Sequence, residues 1–183
     1  MLDTVRQDLG RFAEIKSLPR WRALVEGLLF DNGFQAVVLY RVAHTFRSRG
    51  IPFLGPFFGR LSLFLTGVDI APAAVIGPGL YVAHGVGLVV GGGVRVGERA
   101  FFLGGVNVGA PSQARLAEMP ELGDDVFLGA GARVLGRIRL GNRVFVGANA
   151  VVTRDVPDDA KVVSAAGVEV LVGGRRDGPE AAG

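Results

Sequence analysis

Residues 121–157 read ELGDDVFLGAGARVLGRIRLGNRVFVGANAVVTRDVP, and an apolar residue returns in them at every sixth place: Leu122, Leu128, Val134, Leu140, Val146 and Val152. Gly123, Gly129, Gly141 and Gly147 each follow a beat residue. A second apolar position stands four places after the beat, at Val126, Ala132, Ile138, Val144, Ala150 and Val156. Strands repeat every two residues and helices every 3.6, so an interval of six belongs to neither. It fits a coil of three short flat faces per turn, each about six residues long. The beat residue points into the core, and the small residue after it lets the chain turn a corner.

Upstream the beat continues in two other phases, first Ile70, Ile76, Val82 and Leu88, then Val90, Val96, Phe102 and Val108. The second apolar position continues with it at Ala74, Leu80, Val86, Val94, Ala100 and Val106. Between Gly109 and Leu122 the beat fails. The segment APSQARLAEMPE is polar and holds Pro111 and Pro120, which predicts a loop at 109–121 thrown out from one corner. Insertions of this kind in a solenoid map to one face, often the functional one. Val162, Val163, Val168 and Val170 are expected to close the coil's open edge. Residues 171–183 are polar and Gly-rich and are expected to be disordered.

Residues 1–66 predict a small helical layer. Asp3 or Thr4 can cap a first helix running to Ile15. Pro19 suits the first turn of a second, ended by Asp31-Asn32-Gly33. Phe34–Arg49 gives a third helix, and Phe53–Leu65 a fourth, interrupted at Gly55-Pro56. The layer is too apolar to stand alone in water, so it is expected to pack on the start of the coil, on a neighbouring subunit, or both. The whole chain thus divides into helices at 1–66, a β-coil at 67–170 and a tail.

Composition removes several function classes. There is no Cys among the 183 residues, which excludes disulfide and thiolate chemistry, and two histidines, His44 and His84, cannot build a multi-histidine metal site. No metal is expected. The net charge of +3 has no block of like charges and no aromatics interleaved with the basic residues, so nucleic-acid binding is not indicated. The excess of positive charge also suits an anionic small ligand. The N-terminal MLDTVRQDLG is not a signal peptide. Ile51–Val68 holds Pro52, Pro56 and Arg60, so stable membrane insertion is not expected and the cytoplasm is the expected location.

His84 stands in LYVAHGVG, where the coil asks for no imidazole. It is a candidate general base, since its ordinary pKa lies near neutrality, or else a solvated structural residue. His44, within the third helix, reads as structural. Asp69, fifteen residues before His84, could orient the imidazole or cap the helix-to-coil junction. Gly129-Ala130 and Gly147-Ala148 are eighteen residues apart, one turn of a three-faced coil. Stacked small residues of this kind would leave backbone N–H groups open to an elongated ligand lying along the coil.

Three stretches, GFQAVVLYRVAHTFRSRG (33–50), FLTGVDIAPAAVIGPGLYVAHGVGLVVG (64–91) and VFLGAGARVLGRIRLGNRVFVGANAVVTRDVP (126–157), resemble the short serine O-acetyltransferases of the hexapeptide-repeat acyltransferases. The resemblance implies a left-handed parallel β-helix, assembled as a homotrimer or a dimer of trimers. Acetyl-CoA, or another acyl-CoA, would lie in the groove between subunits. It implies His84 as general base paired with Asp69, and the backbone at Ala130 and Ala148, with Gly129 and Gly147, meeting the coenzyme's pantetheine arm.

The chain departs from that family at the acceptor. Ala83 stands for the Asp before the catalytic His, Glu118-Met119 for an Arg-His pair, Leu18-Pro19 for Asp-Pro, and Ala110-Pro111-Ser112 for Gly-Thr-Gly. A glutamate in place of an arginine meets a substrate carboxylate with repulsion instead of a charge-assisted pair. Leu18, Ala83, Glu118 and Met119 are therefore the candidate acceptor-binding residues. The expected function is an acyl-CoA-dependent O-acyltransferase whose small-molecule acceptor, a hydroxyl or an amine, is not free serine. The alternatives are a serine O-acetyltransferase with a differently built serine site, and a catalytically degenerate trimer serving as a binding or regulatory scaffold. The chain ends Ala181-Ala182-Gly183, without the Ile that the family inserts into cysteine synthase, so that complex is not expected.

Overall fold

The computed structural model describes residues 1–164 and the backbone of 171–172 and 175–176. Four helices come first: α1 (Leu2–Lys16), α2 (Arg20–Phe30), α3 (Asn32–Ser48) and α4 (Leu54–Thr66). Strands of two or three residues then pair in parallel into three faces. The first face holds Asp69–Ile70, Val89–Val90, Asn107–Gly109, Arg133–Leu135 and Val151–Val152. The second holds Val75–Ile76, Arg95–Val96, Glu121–Leu122 and Arg139–Leu140. The third holds Tyr81–Ala83, Phe101–Leu103, Phe127–Leu128, Phe145–Val146 and Lys161–Val162. Each strand pairs with the one directly above it, a turn later in the chain. This is the parallel β-helix that the repeat predicts.

The beat residues form its core. Ile70, Ile76, Val82, Val90, Val96, Phe102, Val108 and every beat residue from Leu122 to Val152 are buried. The two changes of phase have a plain cause. Val82 pairs with Phe102 and Ile70 with Val90, so consecutive inward positions run from Val82 to Val90, eight residues instead of six. From Val108 the next inward position is Leu122, fourteen residues on. Two residues are thus inserted in the turn at 83–87 and eight in the loop. Leu88 is buried, but at a corner position equivalent to Val106. Val86, a second apolar position by its spacing, is 66% exposed, because the insertion carries it out of the core.

The helical layer sits on the start of the coil. Asp8 of α1 is buried and accepts from the amides of Gly79 (2.8 Å) and Leu80 (3.0 Å) in the first turn. Arg41 of α3 pairs with Asp8 at 2.8 Å and donates to the carbonyls of Ile76 (2.6 Å) and Gly77 (2.7 Å). The Tyr40 hydroxyl donates to the Ala74 carbonyl at 2.8 Å. These contacts satisfy backbone groups that the coil's first turn cannot pair with a turn below. Trp21, Leu24, Val25, Leu28 and Leu29 of α2 and Leu54, Phe57, Phe64 and Leu65 of α4 face outward.

Local details differ from expectation. Neither Asp3 nor Thr4 caps α1, which starts at Leu2. Asp31 ends α2 and caps α3, accepting from the Phe34 amide at 2.9 Å, so Asn32-Gly33 belongs to α3. Gly55-Pro56 does not interrupt α4, because both lie in its first turn, where proline gives up no helical hydrogen bond. Val162 lies in the strand Lys161–Val162, on top of the third face. Val168 and Val170 lie outside the described residues. Within the tail expected to be disordered, Leu171–Val172 and Arg175–Arg176 pair antiparallel; the rest lies outside the described residues.

Candidate active site

The corner leading from the third face to the first is built from residues 83–87, 103–105, 129–131 and 147–149 on successive turns. The pairing of Val82, Phe102, Leu128 and Val146 puts His84, Gly104, Ala130 and Ala148 in one column. The residues closing each turn are left-handed: Gly87 (φ 78°), Gly105 (70°), Gly131 (69°) and Asn149 (56°). Their amides donate to the turn before, Gly105 to Val86, Gly131 to Gly104 and Asn149 to Ala130. That leaves the amides one place earlier, of Gly104, Ala130 and Ala148, with no backbone hydrogen bond among the described residues. Turns stack about 4.8 Å apart, so His84 to Ala148 spans about 14 Å. The column is a row of unpaired donors running up the coil from one histidine.

His84 is exposed and itself left-handed, at φ 51°. Its turn is locked from below and behind. A Cβ on Gly85 would lie 2.7 Å from the side chains of Val68 and Val82, and one on Gly33 would lie 2.0 Å from the Val82 carbonyl. The start of α3 therefore presses directly on the strand that delivers His84. Above it, a Cβ on Gly104 would lie 2.2 Å from the His84 carbonyl, so that position admits only glycine.

Asp69 begins the first face below Val89, its neighbour Ile70 pointing inward, so its side chain stands on the outer surface next to the His84 corner. No hydrogen bond joins Asp69 to His84 among the described residues. Ala83 and Leu18 each pack against a second apolar cluster formed by Phe12, Ala13, Ala23, Phe34 and Tyr81. The coil and the α1–α2 junction thus bring two of the four candidate acceptor residues to one apolar cluster, and Ala83 directly precedes His84.

The other two lie elsewhere. The loop leaves from the corner between the first and second faces, after Asn107–Gly109, and contains a short 3-10 turn at Gln113–Arg115. Met119 packs over its own corner: a Cβ on Gly93 would lie 2.8 Å from its Cγ, and one on Gly91 3.1 Å from its Sδ. Glu118 pairs with Arg115 at 2.5 Å, and that hydrogen bond holds its carboxyl below the usual carboxylate range. Within one chain, then, His84, Ala83 and the Gly129-Ala130 and Gly147-Ala148 steps share a corner, Asp69 starts the adjoining first face, Leu18 joins Ala83 at the helical cluster, and Glu118 and Met119 lie on another corner. Gly104 was not apparent from the eighteen-residue spacing, because the loop places it twenty-six residues before Ala130.

Comparison with known proteins follows the same lines. The family model described as bacterial transferase hexapeptide (six repeats) matches residues 119–154. The serine acetyltransferase of Synechococcus elongatus is 40% identical over 161 residues, 88% of this chain and 66% of that protein. The serine acetyltransferase of Helicobacter pylori J99 is 39% identical over 147 residues, 80% of this chain and 86% of that one. The chain belongs to the serine acetyltransferase family. Its fold is shared with the Brucella abortus serine acetyltransferase solved in complex with coenzyme A, with a TM-score of 0.79 and 29% identity over 96% of this chain and 67% of that one. The coil is accordingly the left-handed parallel β-helix of hexapeptide repeats. Some members are longer: the chain spans just under two thirds of the Synechococcus protein. Among the described residues, no helix is long and apolar enough to cross a membrane.

Proposed function

We propose that the chain is an acyl-CoA-dependent O-acyltransferase, working in the cytoplasm as a homotrimer, whose acceptor is a hydroxyl compound (or an amine) other than free serine. The observation that carries this reading is the column of unpaired amides at Gly104, Ala130 and Ala148 above His84. An extended chain bearing amide carbonyls, such as the pantetheine arm of acetyl-CoA or another acyl-CoA, would accept from those donors and end with its thioester at the histidine. Gly129 and Gly147 precede the donors at Ala130 and Ala148, and a Cβ on Gly129 would lie 2.7 Å from the Ala148 nitrogen, so glycine there lets the turns stack closely beneath that amide. The coenzyme A complex of the Brucella relative supports the assignment.

In the proposed mechanism His84 removes the proton from the acceptor hydroxyl as its oxygen attacks the thioester carbonyl. The tetrahedral intermediate collapses with cleavage of the C–S bond. The departing thiolate takes the proton from His84, leaving the ester and free coenzyme A. Asp69 orients the imidazole. Neither a metal nor a covalent enzyme intermediate is needed.

The acceptor half departs from the serine pattern at Ala83, Leu18, Glu118 and Met119, while His84, Asp69 and the small residues at Ala130 and Ala148 keep to it. In the trimer, the loop of one copy would reach the His84 corner of the next and bring Glu118 and Met119 to the acceptor. A serine O-acetyltransferase with a rebuilt serine site is the second reading, favoured by relatives of that name at 40% identity. Thiol release from acetyl-CoA with serine, homoserine and a panel of alcohols separates the two. The triple variant A83D/E118R/M119H should gain serine activity under the first reading. Neither turnover with any acceptor nor coenzyme binding would leave a binding scaffold.

A further inference from the structure

We propose that Val86 is a specificity-determining residue, selecting an acceptor that carries a hydrocarbon group beside its hydroxyl carbon; this rests on the acyltransferase reading above. The turn from the third face to the first holds five residues, 83–87, where the turns above hold three, 103–105, 129–131 and 147–149. On those turns the apolar residue four places after the inward one, Val106, Ala132 or Ala150, is buried. On this turn it is Val86, and it is 66% exposed. The corner position itself exposes His84, as it exposes Ala130 and Ala148 in the same column, and the insertion adds an exposed valine two residues later.

Val86 does not float. The Gly105 amide donates to its carbonyl at 3.0 Å, Leu88 donates to Gly85 at 2.9 Å, and Gly87 donates to Gly67 at 2.8 Å. Its side chain lies over Gly67, where a Cβ would meet Cγ1 at 3.3 Å. A β-branched residue on a backbone held this way has a fixed side-chain direction. Val86, two residues after His84 on the same turn, offers an exposed hydrocarbon face, while Ala83 before His84 packs against the cluster under the helical layer. An acceptor is distinguished there by what its apolar atoms displace, and a charged group beside the hydroxyl would lose hydration with no partner on this turn.

The test is kcat/KM for acetyl transfer from acetyl-CoA to primary alcohols of two to six carbons, together with serine and threonine. The wild type should gain about fourfold per methylene over the first additions. Val86→Ala and the isosteric Val86→Thr should lower that gain to less than about twofold through KM, leaving the KM for acetyl-CoA and the melting temperature unchanged. An unchanged gain in both variants, or an equal loss on every acceptor through kcat, overturns the role of Val86. No thiol release by the wild type with any acceptor overturns the acyltransferase reading itself.

Discussion

Replacing His84 with glycine separates what the fold needs at this corner from what the chemistry needs. At φ 51° the residue occupies the left-handed region. A side chain there costs about 1–2 kcal/mol, because Cβ crowds the following carbonyl oxygen. Glycine removes that cost and returns about 0.5–1 kcal/mol of it through the greater freedom of the unfolded chain. His84→Gly should therefore leave the fold unchanged or up to about 1.5 kcal/mol more stable, a rise of up to about 6 °C for a chain of this length. His84→Ala keeps the crowded Cβ and should gain nothing. Loss of a general base should lower the transfer rate by about 10²- to 10⁴-fold in both. Thermal unfolding by circular dichroism and thiol release from acetyl-CoA measure the two effects, and added imidazole should recover part of the rate in the glycine variant. A melting temperature several degrees below wild type would mean that the histidine is structural. A retained rate would refute its role as base.

Substitutions at two other positions test the clamp between helices and coil. Asp8→Ala should cost about 3–5 kcal/mol in urea unfolding, since it strands the buried Arg41 charge, while Asp8→Asn, which can still accept from Gly79 and Leu80, should cost less. Tyr40 is neutral and buried, and burial pushes its hydroxyl up to about 12. Below pH 10 neither the folded nor the unfolded chain ionises it. Above pH 10 only the unfolded chain does, so about 3 kcal/mol of stability drains away between pH 10 and 12. Tyr40→Phe should remove that alkaline loss in unfolding curves at pH 9 and 11.5, and cost about 1 kcal/mol at neutral pH for the unpaired Ala74 carbonyl.

The coil was legible because burial on a three-sided solenoid is a strict count, and Leu122 to Val152 keep it without a break. The enlarged His84 turn was legible too, in the step from Val82 to Val90, but reading Leu88 as a beat residue hid it and left Val86 as an ordinary second apolar position. The helix junctions were less legible. Asp31 both ends α2 and caps α3, a double use that its residue type does not announce, and Gly33 lies inside α3 where the helix meets the Val82 carbonyl, a contact across forty-nine residues of chain. The corner column at Ala130 and Ala148 followed from a spacing of eighteen. Gly104 did not, because the loop insertion falls between it and Ala130. That Glu118 spends its charge on Arg115 was outside any count, being a matter of side-chain reach.

The two interruptions of the beat fall on different corners, and this bears on how the proposed site is completed. The inserted pair carries His84 on the corner between the third and first faces, and the long insertion leaves from the corner between the first and second. A loop on one corner of a rigid triangular rod does not have to fold back over another corner of the same rod if a three-fold assembly turns it toward the next copy. The expectation is quantitative. Mix His84→Ala chains with chains lacking residues 112–117, in equal amounts, unfold and reassemble. Each parent alone should be inactive. In random trimers half the sites receive an intact His84, and half of those face an intact loop from the neighbour, so activity should return to about one quarter of wild type. A mixture as inactive as its parents would place base and loop in the same chain. A loop-deleted parent that is already active would remove the loop from the site altogether.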